Sequence, residues 1–342
     1  MMDALNQGEI DLTPAVVSHF DSCLGCLACT TTCPSGVQYD KLIASMRPQI
    51  ERNHPRPLVE KLYRQFIFGL FPYPNRLRLL LIPLFIYQKL GLQKLVRQTG
   101  IVEKIAPHLA GMESNLPELS LRTFQDTLPE LIPAQGAKRY RVGMILGCVQ
   151  KLFFDRVNQA TVRVLTSNGC EIVIPQAQGC CAALPHHQGQ EEQAKTLARQ
   201  MIDNFADTNV DAIIINAAGC GHTLKEYGEL LQDAIDFSAK VKDVQEFLAE
   251  IELTTELLPI STETLRLVYQ DACHLLHGQK ISIQPRQLLK QIPNIELKEP
   301  LDAALCCGSA GVYNMLQPET ANELGRQKVN NLVNTGATII AS

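Results

Sequence analysis

The second half of the chain alternates short apolar runs with longer segments in which apolar residues recur every three or four positions. Residues 142–146 and 212–215 are apolar runs with the length of buried strands. Between them, one helical face is predicted by the spacing of six apolar residues, namely Ala194, Leu197, Ala198, Met201, Ile202 and Phe205. Strands that alternate with amphipathic helices are typical of α/β units with a mainly parallel sheet. We therefore predict an α/β fold from residue 139 onward.

This pattern occurs twice. Residues 171–175 correspond to residues 296–300, which lie 125 positions later, and the run at 212–215 corresponds to residues 337–340. The apolar face of the predicted helix also has a counterpart, which consists of Ala321, Leu324, Val329 and Leu332. We therefore expect two repeated domains, at residues 139–250 and 264–342.

The first half of the chain lacks this alternation of predicted strands and helices. A small module at residues 1–50 is followed at residues 51–138 by a predicted helical region and a linker, because residues 99–138 contain several prolines and no sustained periodicity. The most apolar stretch, residues 79–87, is interrupted by Pro83 and is far shorter than the about 20 apolar residues of a membrane span. The sequence predicts no transmembrane helix.

Residues 63–97 combine aromatic side chains with several cations. This composition suits a membrane interface or the groove of a partner protein. The same composition is also compatible with a helical hairpin that packs on its own protein and is interrupted at Pro72 and Pro74. We prefer this second interpretation.

The most specific chemical signal is the run Cys-Leu-Gly-Cys-Leu-Ala-Cys-Thr-Thr-Thr-Cys-Pro, which contains Cys23, Cys26, Cys29 and Cys33. This is the ligand string of a bacterial ferredoxin-type [4Fe-4S] cluster, in which the fourth cysteine ligates the other cluster of a two-cluster protein. Disulfide frameworks belong to short secreted chains. Zinc sites usually pair two Cys-x-x-Cys units across a longer loop. Both alternatives fit this run less well.

Composition supports metal ligation in a reducing compartment. The 342 residues contain 12 cysteines, of which 11 fall into organised groups, and residue 1 is not followed by the pattern of a signal peptide. We therefore expect a cytoplasmic protein. The net charge of −4 gives no basic footprint for nucleic acid.

Two further cysteine groups follow predicted strands of the repeat. The first group consists of Cys148, Cys180, Cys181 and Cys220, and the second consists of Cys273, Cys306 and Cys307. Loops at the carboxyl ends of neighbouring parallel strands converge. Each group could therefore hold an iron–sulfur cluster or a zinc ion. The remaining cysteine, Cys170, corresponds to Ile295 in the second copy and is expected to be a core residue.

Five histidines stand near these cysteines in the sequence, namely His186, His187, His222, His274 and His277. Any of them could be a ligand, a hydrogen-bond donor to a ligand or a proton carrier. For each one taken singly, a satisfied polar residue is the simpler interpretation.

Together the motifs resemble the iron–sulfur subunit of glycolate oxidase (glycolate dehydrogenase), with its paired cysteine-rich "CCG" domains. The resemblance rests on the ferredoxin-type run and on Gly147-Cys148, Gly179-Cys180-Cys181, Ala218-Gly219-Cys220-Gly221 and the segment from Cys306 to Tyr313. The family pattern has Gly after the Cys-Cys pair and ends in Cys-x-x-Cys. Here Ala182 follows the first pair, and Thr223 stands at the last cysteine position.

Members of this family carry two ferredoxin-type motifs and a further cysteine after the final strand. This chain has the second motif alone and ends at Ser342. We therefore expect it to be a piece that is truncated at both ends.

The resemblance implies a division of labour. Partner subunits that carry flavin would oxidise glycolate to glyoxylate, and this chain, with two [4Fe-4S] clusters in the complete protein, would pass electrons towards a quinone or another membrane acceptor. No catalytic residue is assigned to this chain, since it would conduct electrons and not bind the substrate. Peripheral contact with the inner face of the membrane is left open.

Other functions compete with this one. The chain could serve a lactate or glycerol-3-phosphate dehydrogenase, or a CCG-type disulfide (heterodisulfide) reductase whose vicinal cysteines act on a bound cluster. A zinc-stabilised scaffold is the non-enzymatic alternative. Neighbouring genes for flavin subunits would favour the electron relay, and thiol turnover by this chain alone would favour the reductase.

Overall fold

A computed structural model of the chain describes residues 1–99, 118–125 and 127–342. Residues 100–117 of the predicted linker lie outside this part. Residues 1–99 contain α1 (Met2–Asn6), α2 (Pro14–Asp21), α3 (Ala28–Thr32), α4 (Tyr39–Asn53), α5 (Leu58–Leu70), α6 (Pro74–Lys89) and α7 (Leu92–Thr99). Helices α5 to α7 lie in the region that was predicted to be helical. Helices α5 and α6 form a hairpin in which Pro74 occupies the first turn of α6, where its missing N–H costs no hydrogen bond.

The first repeated domain is built on a five-stranded sheet. Its strands are β1 (Leu131–Ile132), β2 (Tyr140–Met144), β3 (Cys170–Val173), β4 (Ala212–Ile215) and β5 (Val241–Asp243). Their spatial order is β1-β3-β2-β4-β5, and all pairs are parallel except β1 with β3. The helices are α8 (Gln150–Phe153), α9 (Asp155–Ser167), α10 (Ala183–His187), α11 (Glu191–Phe205), α12 (Ala218–Lys225), α13 (Tyr227–Leu230), α14 (Ile235–Lys240) and α15 (Val244–Glu250).

Both faces of this sheet are covered, so β4 is apolar throughout. Ile213 and Ile215 pack on the same side as Leu197 of α11, whereas Ile214 packs on the opposite side with Leu165 of α9. Continuous apolar strands of this kind are expected where helices cover both faces of a parallel sheet. The face predicted for α11 is confirmed, because Ala194, Leu197, Ala198, Met201 and Phe205 are buried.

The second repeated domain contains β6 (Leu265–Tyr269), β7 (Ile295–Lys298) and β8 (Ile339–Ala341) in the order β7-β6-β8, all parallel. This matches the order β3-β2-β4, so the repeat is confirmed in three dimensions. A π-helical turn at His274–Gly278 follows β6, and the helices are α16 (Ile283–Lys290), α17 (Tyr313–Leu316) and α18 (Pro318–Val333).

One detail of the predicted repeat is wrong. Val142 pairs with Ala212, but its counterpart Leu267 pairs with Ile339 and not with Ala337. The segment between β7 and β8 is two residues longer than the one between β3 and β4, and a displacement by two residues leaves the same side chains on the same face. The third strand therefore begins later than the sequence alignment suggests.

The predicted apolar face of α18 also needs a correction. Val329 is exposed, and Lys328 is buried in the position one residue earlier. The helical period places residue 328, and not residue 329, above Ala321 and Leu324 on the inner face. A charged residue thus lies where an apolar one was expected.

None of the helices in the described ranges has both the length and the apolar character needed to cross a membrane.

Candidate metal centres

The ferredoxin-type run begins in a tight loop between α2 and α3 that holds Cys23 and Cys26, whereas Cys29 lies in α3 and Cys33 directly follows it. Gly25 and Leu27 both adopt left-handed backbone conformations, with φ of +65° and +64°. These two positions curve the chain around its own sulfurs, and the Gly25 N–H donates to Cys23 Sγ at 3.4 Å. Amide hydrogen bonds to sulfur favour the thiolate, which is the form that binds metal.

Three of the four cysteines of this run interact with one another. Burial raises the pKa of the Cys29 thiol, and so does the negative charge of Cys26 and Cys23. Cys33 ends α3 and points to different partners, because hydrogen bonds from the backbone of Val37 and Ser35 lower its pKa. This arrangement suits the ferredoxin pattern, in which the fourth cysteine serves a different cluster.

Hydrogen bonds connect the ferredoxin-type loop to both repeated domains. Arg47 of α4 is buried and donates to the carbonyl oxygens of Cys23 at 2.5 Å and of His187 at 2.6 Å. From the second domain, His274 Nε2 donates to the carbonyl oxygen of Gly25 at 2.8 Å, and Tyr313 Oη donates to that of Ser22 at 3.2 Å. The module at residues 1–50 is thus held at the junction of the two domains.

The first cysteine group converges as the parallel sheet requires. Cys148 follows β2, the Cys180-Cys181 pair follows β3, and Cys220 lies on α12 after β4. Cys180 is close enough to Cys148 and Cys181 for their thiols to shift its pKa, and Cys181 interacts in the same way with Cys220. These contacts hold the pKa of Cys181 well below its usual range, helped by the backbone N–H of Ala183. The predicted grouping of these four thiols is observed.

The second group is larger than the sequence predicts. The Cys306 thiol lies close enough to Cys273, to Cys307 and also to Cys26 of the ferredoxin-type loop for all three to shift its pKa. Its sulfur accepts the Gly308 N–H at 3.4 Å. The interaction with Cys306 lowers the pKa values of Cys26 and Cys307 to about 6. Cys26 therefore lies where the loop and the second group meet, which its position in the sequence does not reveal.

A cavity of about 520 Å³ separates the two groups. Its wall includes cysteines of both groups, namely Cys148, Cys180, Cys181, Cys220, Cys273 and Cys307. Within the described ranges, no three Cys, His, Asp or Glu side chains are arranged as the ligands of one metal ion. Thiolates that line a shared space are the ligand type that iron–sulfur clusters use, and a [4Fe-4S] cluster takes four of them. The residues present therefore fit such a group.

Cys170 has no part in these groups. It lies in β3, is fully buried and packs in the core with Val142 and Ile214. Burial raises the pKa of its thiol to about 11, so it stays protonated at neutral pH. This is the core role expected from its apolar counterpart Ile295.

The histidines between the groups are packed and hydrogen-bonded. The rings of His187 and His274 are 5.0 Å apart between centroids, and those of His222 and His274 are 5.1 Å apart. Burial lowers the pKa of His222 to about 3 and that of His187 well below its usual range, so both are neutral at pH 7. Thr223, at the position of the last family cysteine, is 3.3 Å from His187 Nε2. The simpler interpretation, as satisfied polar residues, describes His187 and His274. It does not fully describe His277, whose Nδ1 lies 2.7 Å from Thr31 Oγ1 but whose Nε2 is buried without a hydrogen-bond partner in the described part of the chain.

Lys328 is a site residue that the sequence interpretation missed. Its ammonium group is buried, donates to the carbonyl oxygen of Ala303 at 2.6 Å and interacts electrostatically with Asp271 and, more weakly, with Cys307 and Cys306. A buried cation beside thiolates offsets negative charge that burial would otherwise disfavour. The sequence did contain a signal for this residue, because the helical period places Lys328 on the otherwise apolar face of α18.

Comparisons with known proteins agree with this geometry. Residues 59–116 match the family described as "Glycolate oxidase iron-sulfur subunit, linker region", and residues 142–225 and 267–342 each match the "Cysteine-rich domain" family. The second and third of these ranges contain the two cysteine groups.

Three relatives illustrate the similarity. The chain is 38% identical over 351 residues to the probable glycolate oxidase iron-sulfur subunit of Bacillus subtilis, covering all of this chain and 79% of the relative. It is 30% identical over 330 residues to the glycolate oxidase iron-sulfur subunit of Escherichia coli, covering 94% and 75%. It is 29% identical over 204 residues to lactate utilization protein A of Oceanobacillus iheyensis, covering 58% and 82%.

Proposed function

The chain belongs to the family of glycolate oxidase iron–sulfur subunits, and we propose that it carries electrons from a flavin-containing partner that oxidises glycolate to glyoxylate. It is an iron–sulfur electron-transfer subunit of an oxidoreductase complex. The observation that carries the proposal is the contact between Cys26 and Cys306, which joins the ferredoxin-type loop to the second cysteine group. Thiols from distant parts of the sequence thus lie together, in an arrangement that would let them ligate electron-carrying clusters.

The proposed ligands fall into three sets. Cys23, Cys26 and Cys29 would hold a [4Fe-4S] cluster, and Cys33 would serve a second one. Cys148, Cys180, Cys181 and Cys220 form the next set, and Cys273, Cys306 and Cys307 form the last. A bound iron–sulfur cluster accepts and releases single electrons, with a potential that hydrogen bonds and exposure tune.

The side chains around these thiols have identifiable roles in this proposal. The backbone N–H groups of Gly25 and Gly308 donate to sulfur and stabilise its anionic form. Lys328 supplies a buried positive charge beside Cys306 and Cys307. Arg47 fixes the loop by its two carbonyl contacts, so the distance between the thiol sets is set by the fold.

The substrate and the partners belong to the proposal as well. Glycolate would bind to the flavin subunits and not to this chain, and a quinone or another membrane acceptor would receive the electrons at the cytoplasmic face. Glycolate is preferred over lactate because the two glycolate oxidase subunits match nearly the whole chain. The lactate utilization protein matches 58% of it.

The experiment is an anaerobic reduction test in solution. Glycolate added with the flavin partner should bleach the visible iron–sulfur absorption of this chain, and glycolate added to the chain alone should leave it unchanged. Dithionite serves as the control that the absorbing group can be reduced. Bleaching by glycolate without the partner, or bleaching by lactate and not by glycolate in the presence of the partner, would contradict the proposal.

A further inference from the structure

Helix α6 is apolar on two opposite faces. One face is buried, because Leu77 and Leu81 pack in a small core with Leu119 and Leu152. An amphipathic helix at a protein surface would show polar residues on the other side. Helix α6 does not follow that rule.

The outer face of α6 carries a stripe of exposed apolar residues. They recur at spacings of three and four along the helix and are Leu79, Ile82, Ile86 and Leu90, just past its end. Leu79 and Leu90, at the two ends of the stripe, are each 68% exposed, and the stripe as a whole is an exposed apolar patch. Leu92 and Leu95 of α7 are exposed as well. We call this stripe, with the two leucines of α7, the α6–α7 surface.

The charges on these two helices have a single sign. Residues 74–99 contain no Asp or Glu and five cations, namely Arg76, Arg78, Lys89, Lys94 and Arg97. Lys89 and Lys94 are exposed, as is Arg76, whose guanidinium stacks 4.1 Å from the ring centroid of Tyr73. An apolar stripe accompanied by cations alone is complementary to a layer of anionic lipid headgroups above hydrocarbon.

We propose that the α6–α7 surface binds the anionic surface of a membrane, with α6 lying in the plane of the interface. A 16-residue helix is about 24 Å long, which is too short to span the hydrocarbon core but suits an orientation parallel to it. The inference rests on the proposed function only in the membrane location of the acceptor, and it names the surface that brings the chain there. A protein partner would have to present acidic residues to these cations. An anionic membrane presents negative charge through its headgroups.

Vesicle flotation with the full chain tests this. Binding to vesicles of phosphatidylcholine and phosphatidylglycerol is expected, with much weaker binding to phosphatidylcholine alone and at high salt. The double variant Leu79→Gln/Ile86→Gln should lower the partition coefficient by at least about tenfold, because two apolar side chains no longer enter the interface. Lys89→Glu/Lys94→Glu should remove the preference for anionic vesicles.

The matched control is Val59→Gln/Leu62→Gln on α5, whose side chains are also exposed but flank Glu60. This variant should bind vesicles like the unchanged chain. The inference would be overturned if the α5 control lost as much vesicle binding as the α6 variant, or if the unchanged chain did not bind vesicles. An α6 variant that still binds vesicles and no longer co-elutes with the flavin subunits would overturn it as well, since the surface would then be a protein interface.

Electron transfer to a soluble dye separates this inference from the proposed function. The α6 variants should accept electrons from the flavin partner in solution at an unchanged rate. If vesicle binding depends on α6 and electron transfer fails even for the unchanged chain, the membrane surface stands and the proposed function falls.

Discussion

Replacing Cys26 with serine is expected to lower the iron and acid-labile sulfide content of the chain more than replacing any other single cysteine. Cys26 is the one cysteine of the ferredoxin-type run placed against Cys306, and its charge also acts on Cys29. Its thiol has a pKa of about 6, so it is mostly a thiolate at neutral pH and ready to bind metal. Its loss should therefore weaken two of the proposed ligand sets at once.

Two matched variants complete this test. Cys170→Ser replaces a buried thiol of the core and should leave the iron content per folded chain unchanged, although it lowers stability. Cys33→Ser should reduce iron less than Cys26→Ser, because the Cys33 thiol is held by the backbone of residues 35–37. Anaerobic metal and sulfide analysis with circular dichroism as a folding check measures all three. Equal losses for Cys26→Ser and Cys33→Ser would contradict the junction role of Cys26.

The second large effect is expected at Gly308, directly after the second Cys-Cys pair. Gly308 has φ of +80°, and a Cβ added there would lie 2.2 Å from the carbonyl oxygen of Ala321 in α18. A left-handed alanine costs about 1–2 kcal/mol, and a clash with helix backbone adds about 1–3 kcal/mol. Gly308→Ala should therefore lower the free energy of unfolding by about 3 kcal/mol or more and loosen the hydrogen bond to Cys306.

The first domain offers the reciprocal variant. Ala182 occupies the equivalent position with φ of +62° and is fully buried, so alanine is already accommodated there. In Ala182→Gly, relief of about 1–2 kcal/mol of backbone strain is offset by the greater entropy of unfolded glycine and by the lost methyl group. The free energy of unfolding should change by less than about 1 kcal/mol. Urea unfolding of both variants checks the pair, and equal destabilisation would refute the account of the Gly308 clash.

The local features of this structure could be predicted from the sequence. Strand composition and helical period predicted the repeated α/β domains, and strand ends predicted where Cys148, Cys180 and Cys220 meet. The failures occurred where a single position mattered. Lys328 lies on the inner face of α18, where Val329 was predicted. Leu267 pairs with Ile339, where Ala337 was predicted.

The junction itself was beyond sequence reasoning. Cys26 and Cys306 are 280 positions apart, and nothing in either motif specifies their contact. The contact depends on side-chain hydrogen bonds between segments, such as that of His274 with Gly25 and that of Arg47 with Cys23. Interactions of this kind follow from the packed arrangement of the domains, which periodicity and spacing do not encode.

If the thiols of this chain hold iron–sulfur clusters, the metal content of the protein must show it. We would measure iron, zinc and acid-labile sulfide in the full chain purified under anaerobic conditions. Iron and sulfide are expected in near-equal amounts, with little zinc. Stoichiometric zinc without sulfide would contradict this expectation and would make the cysteine groups structural.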